Sequence, residues 1–340
     1  METLLITGGM GFIGSNFIRF ILNSIDNFKI INVDNLTYAG NPENLKDITL
    51  NHSNMYKFYK TDISNFKVLD NITKKENIDY IINFAAESHV DRSINNSTIF
   101  CTTNILGTQT LLNITKKHKL QKFLQISTDE VYGALDFNES PFDEKTSLSP
   151  NNPYSATKAS ADLLVNAYYK TYGLPINITR CSNNYGPFQF PEKLVPLMII
   201  NAVNNKKLPI YGKGINIRDW IYVKDHCEAI LSVLLNGKIG ETYNIGGDSE
   251  TSNIDLVKKL LNLLNKPESL ITFVRDRPGH DLRYAMNHEK ITNKLKWEPK
   301  INLEDGLKKT VQWYLENSQW LDNVISKDYL KYYEKNYRDR

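Results

Sequence analysis

The sequence predicts an α/β fold: a doubly wound, mostly parallel sheet with a smaller, less regular α/β lobe at its C-terminal side. Three observations predict it. Short apolar runs alternate with segments of helical apolar spacing through the first half of the chain. A glycine-rich turn stands where the first run ends and the first helix begins. Past residue 182 the alternation gives way to turn-rich stretches. Alternating strands and helices imply right-handed crossovers and a sheet covered on both faces.

The elements follow in order. Residues 3–7 (TLLIT) are a short apolar run that stops at glycines, the mark of a buried strand. Residues 12–25 carry Phe12, Ile13, Phe17, Ile18, Ile21, Leu22 and Ile25 at helical spacing. Further strands are expected at Lys29–Val33, Asp79–Phe84 and Lys122–Ile126, and another just before Asp62. Asn104–Thr115 reads as a helix, 155–172 as another, and Ile176–Thr179 as the strand after it. The turn-rich segments NNYGPFQFP, YGKGINIRD, NIGGDSE and RDRPGHD then separate helices expected at 194–205, 225–235 and 253–264. We therefore expect a nucleotide-binding domain over 1–182, to which the chain can return later. Residues 183–340 are expected to form mainly a substrate lobe, closing over the carboxyl ends of the strands where ligands of such sheets sit.

Composition limits the function. The 340 residues are 41% hydrophobic and 23% charged, enough for a sizeable core, and the net charge of +3 predicts no nucleic-acid partner. Lysine pairs such as 74–75 and 258–259 read as solvated helix faces. Cys101, Cys181 and Cys227 are odd in number and widely spaced, which indicates neither a disulfide framework nor a zinc site. A reducing, cytoplasmic compartment is expected, with Cys181 and Cys227 as small core residues. The six histidines form no metal-ligating pair. The N-terminal segment lacks a basic n-region, and no long apolar run predicts a membrane span.

The first strand runs into Gly8-Gly9-Met10-Gly11-Phe12-Ile13-Gly14. Glycines there let the backbone turn and approach a pyrophosphate, while the helix N-terminus offers N–H groups and a positive dipole end. Asp34 closes the second strand, twenty residues past Gly14. Its carboxylate suits ribose hydroxyls and repels a 2′-phosphate, so NAD is expected rather than NADP. The bland alternative is a packing glycine set with a solvated Asp. Asp62, in TDIS, can reach the adenine or equally cap a helix.

Two further groups carry chemistry. Tyr154 and Lys158 form YxxxK at a helix start, on one face. A nearby ammonium and an oxidised nicotinamide both favour a phenolate able to take a proton from an alcohol. Ser127-Thr128-Asp129-Glu130-Val131-Tyr132-Gly133 follows the strand at 122–126. For both acids to reach one substrate, that strand must end near Ser127, because adjacent strand residues face opposite ways. Paired carboxylates beside a hydride site suggest an acid and a base with separated pKa values. The alternative is an acidic, solvated turn.

Together, TGGMGFIG, Asp34, TDEVYG and YSATK resemble the extended short-chain dehydrogenase/reductase family. DNLTYAGN, NFAAESHVDRS, RCSNNYGPFQFPEKLVP, IRDWIYV, YNIGG and DRPGHD extend the likeness over nearly the whole chain. The set resembles the branch that dehydrates nucleotide-linked hexoses, whose fold is Rossmann-type. The related epimerases resemble this chain in YxxxK and the glycine loop, but usually have small or hydroxyl residues where Asp129 and Glu130 stand.

The resemblance implies tightly bound NAD and dTDP-glucose as substrate, with a homodimer through the helices near 104–115 and 155–172. It implies that Tyr154 deprotonates the C4 hydroxyl, Thr128 holds that oxygen, Glu130 removes the C5 proton, and Asp129 protonates the departing C6 hydroxyl. Cofactor contacts are implied for Gly8, Gly11, Phe12, Ile13 and Gly14, and for Asp34, Asn35, Thr37, Asp62 and Ile63. Ala85, Ala86, Thr103, Tyr154, Lys158 and Asn184 complete that set. Substrate contacts are implied for Ser88, Thr128, Asn183, Lys193 and Leu194, and for Pro209, Tyr211, Arg218, Asn253, Arg277 and His280. Arg218 and Arg277 suit a pyrophosphate by their bidentate forks; the alternative is an ion pair with Asp219, Asp276 or Asp281. Three rival functions stay open: a UDP-sugar 4,6-dehydratase, a nucleotide-sugar 4-epimerase, and a non-catalytic NAD-binding scaffold.

Overall fold

A computed structural model describes residues 1–25 and 27–325. Its first six strands are β1 (Glu2–Thr7), β2 (Phe28–Asp34), β3 (Tyr56–Lys60), β4 (Tyr80–Asn83), β5 (Lys122–Thr128) and β6 (Ile176–Cys181). Five short strands and one return follow: β7 (Asn183–Tyr185), β8 (Leu208–Tyr211), β9 (Ile217–Tyr222), β10 (Thr242–Ile245), β11 (Glu250–Ser252) and β12 (Ile271–Val274). The main sheet has the order β10-β6-β5-β4-β1-β2-β3, and every pairing in it is parallel. The order reverses between β1 and β4, which opens a crevice at their carboxyl ends.

Period-two alternation splits the strand side chains between two cores. Leu4, Ile6, Ile82 and Leu124 pack on one face with helices Phe12–Ser24 and Val223–Asn236. Leu5, Ile31, Ile81 and Phe123 pack on the other with helices Phe66–Glu76, Thr108–His118 and Pro153–Tyr172. Burial on both faces explains why the strands read as near-continuous apolar runs. Burying each such side chain contributes about 1.5–3 kcal/mol.

A third core lies past β6. Tyr185, Met198, Leu208, Trp220, Leu256, Leu307 and Trp320 build it from β7, β8, β9 and helices Leu194–Val203, Asn253–Leu263, Leu303–Glu316 and Ser318–Val324. Strands β11-β9-β7 and β12-β8 form two small sheets there. Meanwhile β10 and helix Val223–Asn236 return to the main sheet.

Several sequence expectations need adjusting. The segment expected as a helix from Asn104 begins as a π-helix over Cys101–Gly107 and becomes α-helical only at Thr108. Asn104 explains the wider turn: its side chain pairs with both backbone groups of Glu87 and with Thr157. The helix expected at 155 starts at Pro153, because Asn152 and Ser155 form a capping box and proline suits the first turn. Helices Glu289–Leu295, Leu303–Glu316 and Ser318–Val324 had no sequence expectation.

Candidate active site

Two connected cavities lie over the carboxyl ends of the main strands. One, of about 300 Å³, spans the glycine loop, β2, β4, β5 and helix Pro153–Tyr172. The other, of about 170 Å³, lies between segments 88–91, 193–198, 209–220 and 277–284. Ser88, Glu130, Asn183, Glu192 and Lys193 line both.

The larger cavity has the form a dinucleotide requires. Gly8 has φ of +69°, and a Cβ there would stand 2.6 Å from the Ala85 nitrogen. A Cβ on Gly14 would stand 2.5 Å from the Gly8 carbonyl oxygen. The helix after the loop has no side-chain cap at Gly11, so its first N–H groups face the cavity uncapped by the chain's side chains. Asp34 accepts from the Met10 N–H at 3.0 Å and the Leu36 N–H at 2.8 Å, which fixes its carboxylate at the rim. Burial pushes the Asp34 pKa up, and those two N–H groups oppose the shift. Asp62 does not cap the following helix; Asn65 does. Asp62 instead accepts from Ser64 and from the Asn35 amide, and keeps its place on the cavity wall. Phe12, Ile13, Thr37, Ile63, Ala85, Ala86, Thr103 and Asn184 line the same cavity. These residues fit NAD.

At the inner end stand the reactive groups. β5 continues through Thr128, one residue past the expected end, and then turns abruptly into a 3-10 helix over Asp129–Tyr132. That turn cancels the strand alternation and puts Asp129 and Glu130 on one cavity with Tyr154 and Lys158. Thr128 caps the turn, accepting from the Glu130 N–H at 3.3 Å and donating to Asp129 Oδ1 at 3.1 Å. Asp129 Oδ2 and Glu130 Oε2 are buried with no hydrogen-bond partner among the described residues.

The two acids have different surroundings. Burial and the Glu130 charge push the Asp129 pKa well above the carboxylate range. Burial raises Glu130 too, but Arg277, Lys193 and Arg218 oppose it. Both carboxyls are thus shifted up, Thr128 and Arg218 opposing the shift at Asp129 and three cations opposing it at Glu130. Burial, Glu130, Cys181 and Asp129 hold the Tyr154 phenol well above its ordinary pKa, opposed by a hydrogen bond with Thr128. Lys158 donates to the Ile126 carbonyl at 2.7 Å, and burial lowers its pKa. The lowering of the phenol expected from Lys158 is thus outweighed by burial and the neighbouring carboxyls.

The smaller cavity gathers Leu194, Pro209, Tyr211, Arg218, Asn253, Arg277 and His280 with Ser88, Asn183 and Lys193. Arg218 forms no ion pair with a carboxylate among the described residues; it donates to the backbone carbonyls of Ile217 and Asp281 and lies 4.3 Å over the Tyr284 ring. Arg277 Nε is buried without a partner, and Asp276 pairs with His280 rather than with Arg277. Lys193 Nζ donates to the Ser88 carbonyl at 2.9 Å. Two guanidiniums and an ammonium without carboxylate partners of equal number suit an anionic ligand.

Sequence reasoning passed over Glu192, Glu87, His89, Asp91 and Tyr284, which also line these cavities. Glu192 is 7% exposed and pairs with Arg92 at 3.1 Å. No spacing rule marks any of them, and Asp91 sits in the short helix Val90–Asn95. Cys181, read as core, is indeed buried but also walls the larger cavity, its thiol pushed up to about 12 by burial.

The model of the GDP-mannose 4,6 dehydratase family matches residues 5–310. The chain belongs to that family. Among its relatives, dTDP-glucose 4,6-dehydratase 1 of Escherichia coli is 48% identical over 361 aligned positions, covering 99% of both chains. A dTDP-glucose 4,6-dehydratase of Bacillus anthracis, solved in complex with NAD, is 50% identical, with a TM-score of 0.89 over 96% of this chain and 100% of that one. Another from Streptomyces venezuelae, solved with NAD and TYD bound, is 43% identical, with a TM-score of 0.92 over 95% of this chain and 100% of that one. The fold of this chain is thus matched over 96% and 95% of its length by the two solved relatives.

Proposed function

We propose that this chain dehydrates dTDP-glucose to dTDP-4-keto-6-deoxyglucose with NAD as a resident cofactor. The observation that carries the reading is the turn after β5, which presents two buried, adjacent carboxyls to the cavity that also holds Tyr154. A simple epimerase needs no such pair. NAD, when bound, would supply the acceptor for the C4 hydride and the donor that returns it to C6, with a proton restored at C5. The chain's own residues do the rest. Tyr154 takes the proton of the C4 hydroxyl, its phenolate supported by the oxidised nicotinamide charge and by Lys158. Thr128 holds the C4 oxygen. The C4 ketone acidifies the C5 proton, and Glu130 removes it. Asp129, held protonated, gives its proton to the C6 hydroxyl, which leaves as water. Arg218 and Arg277 hold the pyrophosphate, and Pro209, Tyr211 and Leu194 flank the nucleoside end.

Residues 1–182 serve mainly NAD and 183–340, of which 326–340 lie outside the described residues, mainly the sugar nucleotide. A homodimer through the helices near 104–115 and 155–172 is supported by exposed Ile99, Leu106 and Leu163 on those helices or the turn before them. Three free cysteines support a reducing, cytoplasmic setting. Among the described residues, no helix is long and apolar enough to cross a membrane.

The test is direct. The purified protein is incubated separately with dTDP-glucose and UDP-glucose, and the products are weighed by mass spectrometry. Loss of one water from the dTDP sugar, with little from the UDP sugar, is expected. An unchanged mass with formation of a C4 epimer would favour the epimerase reading instead.

A further inference from the structure

Behind the reactive groups runs a buried chain of polar side chains that lines neither cavity. Arg180 on β6 donates through Nε to Asp162 at 2.9 Å and through Nη1 to the Tyr132 hydroxyl at 2.8 Å. That hydroxyl donates to Asn244 Oδ1 on β10 at 2.8 Å, and the Asn244 amide donates to the Phe142 carbonyl at 3.1 Å. Asp162 and Asn244 are fully buried, and Tyr132 and Arg180 are 3% and 4% exposed. The Tyr132 ring also stacks on Phe142, with ring centres 5.0 Å apart, and carries the Arg180 guanidinium 4.8 Å from its own centre.

The ends of this chain are what matter. Asp162 lies one helical turn past Lys158, on the helix that carries Tyr154. Tyr132 ends the short 3-10 turn that begins with Asp129 and Glu130. A buried ion pair stabilises a fold less than well-packed apolar residues of the same size, and its best-attested use is to fix register. Here one Asp162 oxygen even lacks a partner.

We propose that Asp162, Arg180, Tyr132 and Asn244 act as a positioning brace between the oxidising pair and the eliminating pair. The brace rests on the dehydratase reading above. Oxidation at C4 needs Tyr154, Lys158, Thr128 and the cofactor. Elimination further requires Glu130 within reach of C5 and Asp129 within reach of the C6 oxygen, and a misplacement near 1 Å can cost about 100-fold in rate. A loosened brace therefore slows water loss more than it slows oxidation, and enzyme holding reduced cofactor accumulates.

Tyr132→Phe tests this, because it keeps the ring stacking and removes only the shared hydroxyl. Arg180→Lys is the second variant, keeping a charge for Asp162 but losing the arm to Tyr132. Each is mixed rapidly with dTDP-glucose, and the reduced-nicotinamide absorbance is followed beside product formation. The expected result is a steady-state fraction of reduced enzyme about tenfold above wild type, with KM for the sugar nucleotide within about twofold. An unchanged fraction in both variants, even with a lower unfolding temperature or a proportionate loss of both steps, would overturn the brace and leave a merely structural network. Failure of the wild-type enzyme itself to dehydrate dTDP-glucose would count against the dehydratase reading instead.

Discussion

The two cavities are built by opposite means. The larger one is shaped mostly by backbone: a glycine loop, an uncapped helix start and the ends of parallel strands. The smaller one is shaped by long charged side chains drawn from four separated segments. The first offers its ligand room where side chains are absent, the second offers Arg218, Arg277 and Lys193, which form no ion pair among the described residues. Glu130 belongs to both, with Ser88, Asn183, Glu192 and Lys193, and these residues mark where they meet. The difference predicts two separable kinds of failure: loss of bound NAD from damage to the first, and loss of turnover with NAD retained from damage to the second.

The largest effect should come at the junction. Glu130→Gln removes the base proposed to take the C5 proton, so turnover should fall about 1,000-fold while purified protein keeps its NAD, read by absorbance of the released cofactor. Retained turnover, or lost NAD, would break the division. Gly8→Val attacks the backbone side. Its Cβ has no room beside Ala85, and φ of +69° disfavours it, so NAD affinity should drop by about 100-fold or more in calorimetric titration. Arg277→Met should act through the sugar nucleotide, raising KM by about 10- to 100-fold with cofactor content unchanged.

A smaller effect lies further off. The Trp320 indole donates to Asn44 Oδ1 at 2.8 Å, and the Asn44 amide donates to the Met10 carbonyl in the glycine loop at 2.8 Å. Trp320→Phe should therefore speed NAD loss on dialysis by about fivefold, the value of one hydrogen bond. The pH profile sharpens the comparison within the junction itself. On the proposed roles, elimination needs Glu130 charged and Asp129 protonated. Activity should fall on the acid side as Glu130 takes up a proton, and on the alkaline side as Asp129 loses its own. Both limbs should lie above the ordinary carboxylate range, because burial raises both groups, and Asp129 further than Glu130. Asp129→Asn should erase the alkaline limb it causes.

The same contrast explains what could be read without a structure. Gly8, Gly11, Gly14 and Asp34 follow one another in a local pattern whose physics is backbone geometry, so the larger cavity was legible in the order of residues. Tyr154 and Lys158 share a helix face by spacing alone. The turn at Asp129 was legible only as a condition, since a strand running two residues further would have sent one acid to the far face. The structure meets that condition one residue later than expected, at Thr128. Arg218, Arg277 and His280 came to notice through family likeness, because nothing in their spacing brings segments 218 and 277 beside segment 88. Glu192 and Tyr284 escaped both routes. Their burial depends on tertiary packing, which leaves no period in the chain. The π-helix at Cys101–Gly107 escaped for a similar reason: its cause, the Asn104 bridge to Glu87, joins residues distant in sequence.

The account depends most on a hydride that leaves C4 and returns to C6 of the same sugar, with water lost between. dTDP-glucose carrying deuterium at C4 tests that most directly, with the product examined by NMR and mass spectrometry. The predicted product is lighter by one water and carries the deuterium at C6. Deuterium still at C4, whether in unchanged substrate or in a C4 epimer, would contradict it.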